Sequence, residues 1–189
     1  MNTLKLLILP FLMLLSACTT TLNAETDYSV DYDFNAIKSY HIVGDAAAEN
    51  PMLSDINRDR LNKAIAENLN GKGLASADQS SADVSIQYFV FTKDKTKVTT
   101  MPTTVVANCY RCRYHAIGTA STVDVRQYTE GTLIVDVIDN KTTKTIWRSS
   151  LSKKMKNYDN AKERDEAVKI SVEAIFREFP PLPQPQPAK

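Results

Sequence analysis

Cys109 and Cys112, three residues apart, with His115 three residues further on, carry the sharpest chemical pattern in the chain. Three chemistries fit a Cys-x-x-Cys-x-x-His string. An oxidised pair would close a loop as a disulfide. A redox-active pair needs a thiol of lowered pKa, supplied by a helix N-terminus or by nearby cations. Arg111 and Arg113 supply charge, but no helix is predicted after Cys112, and Asn108 stands where a strand–Trp-Cys-x-x-Cys–helix redox motif would place tryptophan. A closed zinc site takes four ligands and the string offers three, so His41 or a carboxylate would have to complete it. Covalent haem in its usual form is excluded, because Arg113 and not histidine follows Cys112.

Other catalytic patterns are missing. There is no Gly-x-Ser-x-Gly elbow, Gly-rich phosphate loop or His-Glu-x-x-His helix, and the whole chain holds five glycines. Asp31 and Asp33 alternate on a presumptive strand, where two carboxylates are ordinarily solvated. Asp136 sits inside the apolar hexamer Leu133–Ile138, where burial would raise its pKa unless Arg148 or a backbone donor compensates; a pairing across the hairpin is the expected outcome. Tyr110, Arg111, Arg113, Tyr114 and His115 form a basic, aromatic cluster that reads as a solvated loop. Lys93, Lys95 and Lys97 read as edge-strand protection, and so do Lys153, Lys154 and Lys156.

A third cysteine gives an address. Lys5 precedes an apolar run from Leu6 to Leu15, too short to span a bilayer, which reads as a signal peptide over residues 1–17. Leu15-Ser16-Ala17-Cys18 resembles the bacterial lipobox. That resemblance implies cleavage before Cys18, a diacylated thiol and an acylated amine, a palmitate-type anchor that is in effect permanent. Thr19 stands where an inner-membrane retention signal would place Asp, which implies the outer membrane, facing the oxidising periplasm. In that compartment the Cys109–Cys112 disulfide becomes the favoured of the three readings. Lys5 is the only charge in residues 1–17, so the remaining chain balances 22 basic against 22 acidic residues. A neutral chain has no general electrostatic attraction to nucleic acid.

The elements follow from periodicity. A polar, Thr-rich tether spans residues 18–27, and order is expected from Tyr28. Lys38–Val43 reads as a strand closed by Gly44. Ser54 caps a helix with Ile56, Leu61, Ala64, Ile65 and Leu69 on one side, stopped by Gly71 and Gly73. Val84, Ile86, Tyr88 and Val90 alternate as a strand; Lys95–Ala107 pairs with Thr119–Tyr128; Leu133–Ile138 and Thr145–Lys154 form a hairpin around Asp139–Lys144. Asn160 and Glu163 form a capping box for a last helix with Val168, Val172, Ile175 and Phe179 as its buried stripe. The tail, residues 180–189, is Pro-rich and reads as a frayed, polyproline-like end.

Several strings in this order resemble a bacterial lipoprotein family known as domain of unknown function 4136. They are Tyr32-Asp33-Phe34 with Lys38-Ser39-Tyr40, Ala82-Asp83-Val84, Tyr128-Thr129-Glu130-Gly131-Thr132-Leu133 with Asp136 and Asp139, Ile146-Trp147-Arg148, and Phe179-Pro180-Pro181. Thr143 and Ser149 stand where the family pattern would place glycines. The resemblance implies an α+β domain over residues 28–179, a mostly antiparallel sheet with two helices packed on one face as a two-layer sandwich, and it transfers no catalytic residue. Gly131 suits a bulge or tight strand entry, and Trp147 a large buried contact with the helix layer.

The expectation is a non-enzymatic envelope module, anchored through Cys18, with no cofactor and no metal site. Its partners would be the membrane, envelope proteins or cell-wall polymer. The alternative is an envelope redox or metal-handling protein that uses Cys109 and Cys112.

Overall fold

Alternating apolar side chains along the chain build one sheet, described for residues 22–45, 53–107 and 116–181 of a computed structural model. Its strands are β1 (Glu25–Tyr28), β2 (Ser39–Asp45), β3 (Ala75–Ser76), β4 (Val84–Ala107), β5 (Ala116–Asp139) and β6 (Lys144–Lys154). They lie in the order β1-β6-β5-β4-β2-β3. Two helices complete the domain, α1 (Asp55–Gly71) and α2 (Ala161–Ile175). No helix among the described residues is long and apolar enough to cross a membrane.

The sheet is mixed, which corrects the expectation of a mostly antiparallel one. β2 runs parallel to both β3 and β4, while the pairs β1–β6, β6–β5 and β5–β4 are antiparallel. The cause is α1, which carries the chain from β2 back to β3 in the same direction, as a parallel crossover must.

A second difference concerns length. The sequence reads as separate strands around residues 84–91, 95–107, 119–128 and 133–138, but β4 and β5 are each 24 residues long and pair in unbroken register from Val84↔Asp139 to Ala107↔Ala116. Lysine-rich and threonine-rich stretches carry no apolar alternation, yet the ladder continues through them because the partner strand is the next segment of chain. A third difference is at the start. The chain is already in a strand at Glu25, held by Glu25↔Ser150 through Tyr28↔Trp147, although its side chains are mostly polar.

On one face of the sheet, Val84, Ile86, Tyr88, Val135 and Val137 are fully buried. Tyr40 and Tyr88 on that face reach α1, donating from their hydroxyls to Asn70 Oδ1 at 2.9 Å and Asn62 Oδ1 at 3.1 Å. Leu61, Ala64, Ile65 and Leu69 are the buried stripe of α1, as the spacing predicts; Ile56, expected with them, is 64% exposed. At about 100° per residue it lies roughly 140–180° around the helix from Leu61, Ile65 and Leu69. In α2 Asn160 accepts from the Glu163 N–H at 2.9 Å, the predicted cap, and Val172 and Ile175 are buried. The strongest apolar anchor is Trp147, stacked on Phe176 (5.5 Å between centroids, 8° between planes) and edge-on to Phe179 (5.2 Å).

Asp33 and Asp139 hold turns. Asp31 and Asp33 lie in a turn and not in a strand, and Asp33 Oδ1 accepts from the Asn35 N–H at 3.0 Å to cap a short helical turn. Asp139 Oδ2 accepts from the Thr142 N–H (2.8 Å) and hydroxyl (2.6 Å), and its Oδ1 accepts from the Tyr32 hydroxyl (3.0 Å). Burial and this carboxylate push the Tyr32 hydroxyl up to about 12. The β5–β6 turn places Thr143 at φ 57°, the left-handed region where a family glycine would sit without strain. At Gly131 no register shift occurs; the ladder slips at Val137/Ile138 instead. A Cβ at Gly131 would meet Met155 Sδ at 2.5 Å, so the glycine makes room for a side chain from the end of β6.

Candidate functional site

Strand alternation decides which side chains meet at the base of the long β4–β5 hairpin. Val90, Leu133 and Leu151 lie on the helix-facing side of three adjacent strands, in register as Val90↔Leu133 and Leu133↔Leu151. The next pair on that side is Gly131↔Lys153, with Thr92 opposite Gly131. Leu61 of α1 and Val168 of α2 rise above this floor. Together they enclose an apolar groove of about 490 Å³, whose rim is formed by Met155, Lys156, Asn157 and Tyr158 on the link to α2. A volume of that size falls within the roughly 300–1,000 Å³ range of small-molecule sites.

Lys153 puts a cation in this groove. Its Nζ donates to Ser171 Oγ at 2.6 Å and to the Ala167 carbonyl at 3.2 Å, and Ser171 Oγ donates in turn to that carbonyl at 2.6 Å. An ammonium has three donors, and these contacts take two. No carboxylate among the described residues pairs with Lys153, and the groove lining contains three cations, Lys153, Lys156 and Arg164, but no acid. Burial holds the Lys153 ammonium below the usual lysine range, and Lys156 adds to the shift. A cation that is partly desolvated, unpaired and surrounded by apolar walls is suited to receive an anionic group attached to an apolar body.

The sequence reading placed Lys153, Lys154 and Lys156 together as protection of an edge strand. The structure separates them. Lys153 points to the helices, while Lys154, opposite Glu130, lies over the Tyr128 ring at 5.4 Å on the other face. The available signal was the period of two: Lys153 follows the buried Leu151 by two residues and must share its face.

Of the residues the sequence singled out, Asp136 and Arg148 meet as expected, with Arg148 Nε and Nη2 each donating to a carboxylate oxygen at 2.6 Å. His41 Nδ1 lies 3.1 Å from the Ala77 carbonyl, a contact that joins β2 to the loop after β3. Cys18, Cys109, Cys112 and His115 lie outside the described residues, as do the signal segment and residues 182–189 of the tail. Among the described residues no group of three His, Cys, Asp or Glu side chains is arranged to hold a metal.

Comparison with known proteins follows the same outline. The sequence model of a family described as "Domain of unknown function (DUF4136)" matches residues 24–181. A PDZ domain protein from Parabacteroides distasonis ATCC 8503 superposes with a TM-score of 0.54 at 17% identity, over 85% of this chain. This chain spans 36% of that protein's length. A DUF4136 family protein from Bacteroides thetaiotaomicron VPI-5482 has a TM-score of 0.49 at 12% identity, covering 85% of this chain and 97% of that one. The PelC dodecamer from Paraburkholderia phytofirmans has a TM-score of 0.43 at 10% identity, covering 82% and 96%. At 17% identity the first of these likenesses is one of fold. No curated protein matches the sequence.

Proposed function

The chain belongs to the DUF4136 family, and from that premise we propose a lipid-anchored, non-enzymatic envelope module that binds a single-chain anionic amphiphile. In this reading Cys18 carries the anchor, and the domain is a two-layer α+β body facing the periplasm from the outer membrane. Its groove between α1, α2 and the sheet takes the apolar chain, and Lys153 takes the anionic end. Envelope proteins or cell-wall polymer would meet the module elsewhere on its surface. The observation that supports the reading is Lys153, an ammonium without a carboxylate partner among the described residues, in an apolar groove lined by three cations and no acid. The alternative, redox or metal chemistry at Cys109 and Cys112, rests on the sequence string alone.

Two results test this function. Cys18→Ser should leave unprocessed or mislocalised precursor, read by membrane fractionation and mass; normal lipidation of that variant refutes the anchor. For the groove, residues 19–189 should bind dodecanoate more tightly than dodecanol in calorimetry. Lys153→Met should weaken dodecanoate about 10-fold or more, since a hydrogen bond to a charged group contributes roughly 1.5–3 kcal/mol. Because burial lowers the Lys153 pKa, dodecanoate affinity should fall as pH rises through a value below the usual lysine range, while dodecanol affinity stays flat. Equal affinity for the acid and the alcohol would sink the assignment.

A further inference from the structure

Beyond the body of the domain, β4 and β5 continue alone. Among the described residues, β2 pairs with β4 only as far as Tyr88, and β6 pairs with β5 only from Glu130 onward. The stretch 93–107 of β4, paired with residues 116–130 of β5, is therefore a two-stranded arm. At about 3.3 Å per residue its fifteen-residue β4 strand reaches roughly 50 Å. An isolated two-stranded ribbon is marginal in water, and each outer edge offers a row of unpaired backbone donors and acceptors.

Two hydrogen bonds fix which residues those are. The Asn140 N–H donates to the Asp83 carbonyl at 3.0 Å, and the Met155 N–H donates to the Thr129 carbonyl at 2.9 Å, away from β4. Even-numbered residues of β5 therefore face β4 and odd-numbered ones face outward; in β4 the parity is reversed. Among the described residues no strand pairs with the outward donors, which include those of Asp94, Thr96, Val98, Thr100 and Thr104 on one edge and Thr119, Ser121, Val123, Val125 and Gln127 on the other. Pro102 falls at an outward position, where a missing N–H leaves the arm's own ladder intact.

The two edges differ in charge. The β4 arm carries Lys93, Lys95 and Lys97 against Asp94, a net +2; the β5 arm carries Asp124 and Glu130 against Arg126, a net −1. Within one arm Lys95 already pairs with Glu130, and Arg126 with Asp124, which leaves Lys93 and Lys97 as the lysines without a carboxylate partner among the described residues. Pairing β4 with β4 of another copy, arms pointing the same way, sets three lysines against three lysines, which is disfavoured. Pairing β4 of one copy with β5 of the next sets a net-positive strand beside a net-negative one, continues the antiparallel alternation and keeps all arms pointing the same way. On the helix-facing side it also joins the exposed Val98 (60%), Val123 (56%) and Val125 (58%) into an apolar band across copies.

We propose that the arm is a self-association element: the β4 edge of one copy pairs head to tail with the β5 edge of a second copy of this chain. Such an interface is heterologous, so it propagates past the dimer, to a closed ring where the rotation closes. This rests on the arm alone and is independent of the groove.

The test uses the full chain extracted from membranes in mild detergent and sized by native mass spectrometry. Thr100→Pro removes an outward donor from the β4 edge, and Val123→Pro removes one from the β5 edge. Wild type should assemble beyond the dimer. Each variant alone should be monomeric, and an equimolar mixture should give a one-to-one heterodimer and nothing larger. Independently of proline, Lys93→Glu with Lys97→Glu, which leaves the Lys95–Glu130 pair of the arm in place, should weaken assembly, and high salt should weaken assembly of the wild type. A monomeric wild type would overturn the proposal, and so would a homodimer of either proline variant, which would show like edges pairing with like.

Discussion

Replacing Trp147 with alanine should cost about 3–5 kcal/mol, the range for emptying a buried aromatic site. Trp147 is 1% exposed. It is stacked on Phe176 at 5.5 Å and edge-on to Phe179 at 5.2 Å; Phe176 and Phe179 are themselves 5.9 Å apart, and Phe179 meets Phe34 at 6.3 Å. One side chain thus joins β6 to the chain after α2 and, through Phe179, to the turn before β2. The expected fall in Tm is on the order of 10 °C for a domain of this size. Trp147 is the only tryptophan, so the variant is followed by circular dichroism in urea and not by fluorescence. Trp147→Phe should lose far less, because Trp147 Nε1 is buried without an acceptor among the described residues and phenylalanine removes that unpaired donor. A loss below about 1 kcal/mol for Trp147→Ala would mean that the aromatic cluster is not what holds the helices to the sheet.

Arg148→Ala should be the next most damaging change, by about 2–3 kcal/mol, and the damage should be asymmetric. The Asp136 carboxylate is 4% exposed and takes two bonds from Arg148, whose side chain is 56% exposed. Removing the arginine leaves a buried carboxylate without its cation; removing the aspartate leaves an arginine that water can solvate. A fully buried pair broken from one side loses about 3–5 kcal/mol, and the half-exposed guanidinium reduces that. Asp136→Ala should therefore cost about 1 kcal/mol. The double variant Asp136→Ala with Arg148→Ala should be more stable than Arg148→Ala alone. Urea titration of the three variants decides it: a double variant as unstable as the sum of the singles would show that the two side chains act independently.

Local patterns made a large part of this molecule legible. The i, i+3, i+4 spacing located α1 and its stripe of Leu61, Ala64, Ile65 and Leu69. Asn160 with Glu163 located the start of α2. A lone aspartate in the apolar run Leu133–Ile138 demanded a partner, and the hairpin length put Arg148 opposite it. In each case the cause acts within one element or across one tight turn, so it leaves its mark on neighbouring residues. Ile56 is the exception: five residues before Leu61 and nine before Ile65, it falls on the opposite side of the helix and is exposed.

The candidate site was less legible. Lys153 sits in a basic triplet with Lys154 and Lys156, and a run of lysines ordinarily means solvent. Only the positions of Ala167 and Ser171 on α2, more than a dozen residues away, turn it into a groove cation. The continuity of β4 and β5 through Lys93–Thr104 was hidden for a related reason. Charged and threonine-rich residues carry no apolar alternation, and backbone pairing requires none.

By itself, then, the sequence determined the α+β class, both helices, the β5–β6 hairpin with its Asp136–Arg148 pair, and the place of Trp147 in the core. These depend on side-chain period and on contacts close along the chain. The tertiary structure alone decided that β2 runs parallel to β4, that two 24-residue strands project past the body, and that Lys153 faces the helices in a groove free of acids. Each of those depends on which distant segment lies alongside, and backbone ladders and helix crossovers set that without any mark in the local order of residues.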